Sequence, residues 1–183
     1  RLLNRHLRAV RTLARENGKE AALQVSGANI SLDRQVSRRL ADPLLHLIRN
    51  SIDHGIELPA VRLAAGKPAE GTITLSAEAR DGFVVISVED DGHGVDRQMV
   101  AQRAIAQHLL TADEAENLRE EQLLGLLFAP GFSTRESADE MSGRGVGLDV
   151  VKRSLEALGG DVRVSSKDGR GTRFELRAPL NLS

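Results

Sequence analysis

Four short stretches hold the residues whose types and spacing could do chemistry. In "HLIRNSIDHG", residues 46–55, Leu47, Ile48 and Ile52 have the spacing of a buried helix side. His46, Asn50 and Asp53 recur at steps of four and three on another face, with His54 beside them. Asn and Asp are middling to poor residues for a helix interior, because their side chains compete for backbone hydrogen bonds. A solvated polar face is one reading of this pattern. The other is a site: an Asn amide oxygen suits Mg²⁺, which takes hard oxygen donors and keeps several waters. His46, one turn earlier, could then position or polarise whatever meets the metal.

The second stretch, "EDDGHGVD", ends a strand in Asp90-Asp91-Gly92-His93-Gly94. A polar turn accounts for a lone D-x-G-x-G. Functionally, Asp90 would be a fixed acceptor for the exocyclic amine of adenine, and Gly92 and Gly94 would let the backbone approach the ring. In the third, "SGRGVGLDVV", Gly143, Gly145 and Gly147 lead directly into an amphipathic helix. Such a loop presents N–H groups and the positive end of the helix dipole, which suits phosphate. It is no Walker A loop, since no Gly-Lys-Ser/Thr follows, and G-x-G-x-G after a loop is not a dinucleotide fingerprint. The fourth, "GRGTRF", reads as a hairpin turn to which Thr172 could add a hydroxyl.

The elements that must position these residues follow from periodicity and punctuation. Residues 2–16 place Leu3, Leu7, Val10, Leu13 and Ala14 on one stripe of a helix ended by Asn17-Gly18. "AALQV" and "ANISL" predict two short strands around Ser26-Gly27. A long helix is expected over 35–54, kinked at Asp42-Pro43 or restarted there with Asp42 as N-cap, and stopped by Gly55. "PAVRLAAG" is a short helix or a loop. "GTITLSAEAR", Asp81-Gly82 and "FVVISVED" form the clearest hairpin. Helices are expected at 96–108 and 147–158, and "DVRVSS" and "TRFELRA" make a second hairpin. Between 109 and 145, helical character in "DEAENLREEQLLGLLF" gives way to a long irregular run, the mark of a lid or binding loop. Two antiparallel hairpins mixed with helices predict an α/β, two-layer sandwich: one mixed sheet covered by helices on one face. The alternation is too irregular for a Rossmann sheet.

Composition narrows the classes further. The chain has 183 residues, 40% hydrophobic and 28% charged, enough for one domain with an ordinary core. It has no cysteine, which excludes disulfides and zinc thiolate sites. A net charge of −1, with four Phe and no Trp or Tyr, gives no reason to expect nucleic acid. No apolar run approaches the ~20 residues that span a bilayer, and no secretory signal pattern appears. The first residues are already in helical register, so the chain reads as a fragment of a longer multidomain protein.

Polar-faced helix, D-x-G-x-G at a strand end, lid, glycine loop into a helix and G-x-G-T hairpin, in this order, resemble the GHKL (Bergerat) ATP-binding fold. That superfamily includes histidine kinases, type II topoisomerases, mismatch-repair clamps and Hsp90 chaperones. The resemblance covers nearly the whole chain. "DPLLHLIRNSIDHGIE", "RLAAGKP", "DDGHGVD", "LFAPGFST" and "SGRGVGLDVVK" are similar to the ATP-binding kinase domain of the chemotaxis histidine kinases, the CheA family. The resemblance implies that Asn50 coordinates the Mg²⁺ bridging the ATP phosphates, and that Asp53 and His54 lie at nucleotide-site positions. It implies that Asp90 reads the adenine amine, with Gly92 and Gly94 around the ring. Phe128 and Phe132 match the phenylalanine box of an ATP lid spanning 109–145, followed by Ser133 and Thr134. Gly143, Arg144, Gly145, Val146, Gly147 and Leu148 match the phosphate-wrapping loop, and Thr172 the final hairpin. His46 stands where other superfamily members carry a water-activating glutamate, which favours phosphoryl transfer to histidine over hydrolysis.

The chain departs from the family pattern after D-x-G-x-G. A basic residue often reaches a phosphate there, but here Met99 lies between Arg97 and Arg103. Arg144 could compensate. Arg49 could serve phosphate or pair with a carboxylate. The implied setting is cytoplasmic two-component signalling. It would include a histidine-phosphotransfer domain of the same protein, acting in trans across a dimer, and a downstream response regulator. Flanking domains would meet a coupling protein and chemoreceptors, with no nucleic acid and no membrane insertion. The competing expectation is a GHKL ATPase clamp, in which hydrolysis drives a conformational cycle.

Overall fold

The computed structural model describes residues 3–27, 29–132 and 147–182. Five strands form one mixed sheet: β1 (Ala21–Ser26), β2 (Gly71–Arg80), β3 (Phe83–Asp90), β4 (Asp161–Lys167) and β5 (Gly171–Pro179). Their order across the sheet is β1-β2-β3-β5-β4. The β1–β2 pair is parallel and the other three are antiparallel. Both predicted hairpins are present.

Alternation decides the layers. Ile73 and Leu75 on β2, Val84, Ile86 and Val88 on β3, and Phe174, Leu176 and Ala178 on β5 are buried on one face. Helices α1 (Leu7–Glu16), α2 (Arg34–Asn50) and α7 (Asp149–Ala157) pack against this side. The opposite face carries Glu89, Arg173, Glu175 and Arg177, and is left to solvent. The fold is therefore the expected two-layer sandwich with helices on one face. The shorter helices are α3 (Pro59–Ala64), α4 (Arg97–Ala106), α5 (Ala112–Asn117) and α6 (Glu120–Gly125).

Several local expectations are corrected. Residues 29–32 form no strand: Ile30 donates to Gly27 O at 3.4 Å, and Ile30 and Leu32 pack against the core instead of the sheet edge. Leu7 is 43% exposed while Leu3 is buried. A 3₁₀ turn over Leu3–His6, with three residues per turn, breaks the α-helical stripe between them. Pro43 does not restart α2, which runs on through it from an N-cap at Asp33, accepting from Gln35 N at 2.7 Å. A proline inside an isolated helix costs roughly 3 kcal/mol. Here burial of Val36, Leu40, Leu44, Leu47 and Ile48 on both sides of Pro43 carries the helix through it.

Candidate functional site

The polar helix face ends in an unusual turn. The α-helical pattern stops at Asn50, and Ser51–Gly55 continue as a π-helical turn in which Ile56 N donates to Ser51 O at 2.8 Å. The predicted face is thus divided: His46 and Asn50 lie on α2, Asp53 and His54 on the wider turn. Such π turns carry one extra residue per turn and recur at functional sites. Lys19 supports this one, donating to the carbonyls of Ile52 at 2.6 Å and Asp53 at 3.0 Å. Sequence patterning gave no sign of Lys19. It lies in the turn after α1, far from the site in sequence.

Against the π turn stands the end of β3. Asp90 is 3% exposed, and its Oδ1 accepts from the Gly92 amide at 2.9 Å. Burial pushes its carboxyl up to about 6, against the lowering influence of the Gly92 and Thr172 amides. The fit around it is tight. A Cβ on Gly92 would fall 1.9 Å from Gly55 O, and one on Gly55 would fall 2.7 Å from Asp90 Oδ2. The π turn and the strand end therefore meet through backbone. Gly94 is required for a different reason: its φ is +84°, in the left-handed region. In the sequence Gly55 reads only as a helix stop, and Gly171 only as a turn residue. Both are packing partners of Asp90, since a Cβ on Gly171 would lie 1.9 Å from Asp90 O.

Thr172, the second residue of β5, is buried, and its amide faces the Asp90 carboxylate. Its hydroxyl lies 3.5 Å from Ser166 Oγ, which in turn accepts from Val95 N at 2.7 Å and donates to Gly171 O at 3.1 Å. On the other side, α2 packs against α7. Burial lowers the pKa of His46, and the charge of Arg49 lowers it further, while Asp149 on the first turn of α7 opposes both. The surroundings of His46 therefore favour the neutral imidazole, which can accept one hydrogen bond and donate one. Arg49 is exposed. Arg97 is occupied elsewhere, paired with Glu120 and donating to Ser166 O at 2.9 Å.

Phe128 and Phe132 are both buried, and Phe128 meets Phe174 edge-on with centroids 6.2 Å apart. Leu148 is buried at the entrance to α7. A Cβ on Gly147 would lie 3.3 Å from Phe132 O, so the two flanks of segment 133–146 come close together. Ser133, Gly143, Arg144, Gly145 and Val146 lie outside the described residues. Among the described residues, no group of three or more His, Asp or Glu converges as a metal cluster. A Mg²⁺ that takes one amide oxygen and fills its shell with phosphates and water needs no such cluster, and Asn50 fits that donor chemistry.

The family model of the histidine kinase-, DNA gyrase B- and HSP90-like ATPases matches residues 35–182, which contain every part of this arrangement except Lys19. The chain belongs to this ATPase family. Members similar to it include the chemotaxis protein CheA of Bacillus subtilis (strain 168), 48% identical over 182 residues, covering 100% of this chain and 27% of that protein. The gliding motility regulatory protein of Myxococcus xanthus is 47% identical over 176 residues, covering 96% and 23%. The chain thus spans about a quarter of the length of such relatives. Among solved structures, full-length ShkA in complex with AMPPNP superposes with a TM-score of 0.59 at 26% identity, over 100% of this chain and 30% of that one. The histidine kinase domain of the Erythrobacter litoralis EL346 blue-light activated kinase superposes at 0.55 with 16% identity, over 97% and 63%, which supports the ATPase fold alone. No helix among the described residues is long and apolar enough to cross a membrane.

Proposed function

We propose that residues 1–183 are the single ATP-binding catalytic domain of a CheA-type histidine kinase, passing the γ-phosphoryl group of Mg-ATP to a histidine on a separate phosphotransfer domain. The observation that carries this reading is the buried, glycine-cradled Asp90 packed against the π turn that ends the helix bearing His46 and Asn50. Near-half identity to chemotaxis kinases over the whole chain supports it.

Phosphoryl transfer depends on positioning and charge neutralisation more than on covalent help. Asp90 would accept the 6-amine of adenine, with Gly92 and Gly94 against the ring and Thr172 closing the pocket floor. Asp53 and His54 would flank the nucleotide from the π turn. Phe132 and Ser133 would anchor a lid of residues 109–145. Gly143, Arg144, Gly145, Val146, Gly147 and Leu148 would surround the phosphates. Asn50 would hold Mg²⁺, which when bound neutralises phosphate charge. A nitrogen lone pair of the acceptor histidine forms the N–P bond as the bond from γ-phosphorus to the bridging oxygen breaks. That electron pair stays with ADP, and the acceptor ring sheds its proton.

His46 explains the preference for histidine over water. Hydrolysis needs a base to take a proton from water as it attacks. A neutral imidazole nucleophile already has its lone pair, so a carboxylate at position 46 would only promote wasteful hydrolysis. His46 would instead orient the γ-phosphate or the incoming ring. The rest of such a protein would supply the acceptor domain, working in trans across a dimer, and contacts to a coupling protein and chemoreceptors. A response regulator would take the phosphate onward, in the cytoplasm. Incubation with γ-labelled ATP and a phosphotransfer domain tests the reading. Acid-labile phosphohistidine is expected; rapid free phosphate without it would indicate an ATPase clamp.

A further inference from the structure

Beneath the Asp90 turn lies a set of charges with no place in the chemistry above. The Arg62 side chain is fully buried, at 0% exposure. It donates to Pro68 O at 2.7 Å, Glu57 Oε1 at 2.8 Å, Asp91 O at 3.1 Å and Asp91 Oδ2 at 3.1 Å. Lys67 donates to Glu57 Oε2 at 2.8 Å, Asp91 O at 3.1 Å and Gly92 O at 2.9 Å. Two cations and two carboxylates balance, and each is hydrogen-bonded. The pairing with Lys67 and Arg62 keeps Glu57 ionised, its pKa lowered despite the cost of burial.

Stability alone does not account for this arrangement. Buried ion pairs barely offset their desolvation, and apolar residues of similar volume often serve as well. What the network holds is specific: the carbonyls of Asp91 and Gly92, the two residues after the adenine acceptor. Asp91 is also held by its own carboxylate, whose Oδ1 accepts from Thr72 N at 2.8 Å. Successive side chains at a strand end point to opposite sides. Fixing Asp91 outward therefore fixes Asp90 inward, and sets the Gly92 amide that Asp90 accepts.

We propose that Arg62 and Lys67, with Glu57, are positioning residues for nucleobase recognition: they select which of two adjacent carboxylates, Asp90 or Asp91, faces the ligand. This rests on Asp90 being the adenine acceptor, and the test separates the two ideas. Calorimetric Kd values for Mg-ATP and for Mg-inosine triphosphate, which has a carbonyl in place of the 6-amine, are measured on the 183-residue chain and its variants. Melting curves run alongside to establish the folded fraction. Lys67 is the softer target, its side chain being 20% exposed. Lys67→Met is expected to bind ATP about tenfold more weakly, the scale of one charged hydrogen bond. Inosine triphosphate affinity should change by less than about twofold, so the preference collapses, and Lys67→Arg should restore it. Arg62→Met should do the same if it folds. A folded Lys67→Met variant that keeps the wild-type ATP preference overturns the proposal, whatever its Tm. A wild type that does not distinguish the two nucleotides overturns the role of Asp90 itself, and this proposal with it.

Discussion

Asp90 and Asn50, the two ends of the proposed site, have different kinds of surroundings. Asp90 is 3% exposed, held by an amide, pressed between glycines and backed by a buried ionic network. Asn50 and His46 are half-buried and, among the described residues, make no side-chain hydrogen bonds with protein. On the Asp90 side the acceptor is preformed by close packing and hydrogen bonds. On the other, the proposed ligand would meet Asn50 and His46. A nucleobase presents the same edge throughout a reaction, so a preformed site serves it. Phosphates change charge and geometry as the reaction proceeds, so the groups that meet them keep freedom to follow.

This contrast breaks first at Asn50. Asn50→Asp should lower phosphoryl transfer by about 1,000-fold or more, by removing the neutral metal ligand and placing a negative charge near phosphate. Its melting temperature should change little, since no side-chain hydrogen bond to another described residue is lost. Both are read from labelled-ATP assays and thermal unfolding. His46→Glu should raise free phosphate release by about 100-fold, the low end of what a general base contributes. A phosphate-release assay without acceptor measures it.

Asp90→Asn should have the opposite profile to Asn50→Asp. ATP binding should weaken by about 10- to 100-fold. The shift of the carboxyl from 3.8 to about 6 means that its ionised form is disfavoured in the folded chain. Between those pH values the folded chain holds more protons than the unfolded one, so this group's contribution to stability falls as pH rises and is fully unfavourable above about 6. Asp90→Asn should therefore gain stability at pH 7, roughly 1–3 kcal/mol by denaturant titration. His46 has the reverse sign: its depressed pKa makes the folded chain hold fewer protons, so its unfavourable contribution appears as pH falls through 6.5. ATP affinity of the wild type should drop about tenfold per unit below pH 6, as protons compete for Asp90. The smallest effect is Arg49→Ala, which should move the His46 titration upward in an NMR experiment by removing a repulsive charge.

How much was legible in the sequence follows the same division. Asp90, Gly92 and the 71–90 hairpin announce themselves through alternation and turn chemistry, which are local. The π turn does not. It depends on Gly55 meeting Gly92 and on Lys19 reaching two carbonyls more than thirty residues away. Pro43 reads as a break because local propensity opposes it, and the core overrides that propensity. Residues 28–32 have the composition of a strand, but Ile30 and Leu32 are used to cover the core. Arg62 reads as one charge in a helix, and only the fold reveals it as buried. Long-range contacts of this kind leave no period in the chain.

The most direct test of a phosphate wall built for histidine rather than water is the partition of label from γ-labelled ATP with acceptor domain present. The wild type should put most transferred label into acid-labile phosphohistidine, with little free phosphate, and His46→Glu should divert label to free phosphate. Rapid release of free phosphate by the wild type, with no phosphohistidine formed, would contradict it.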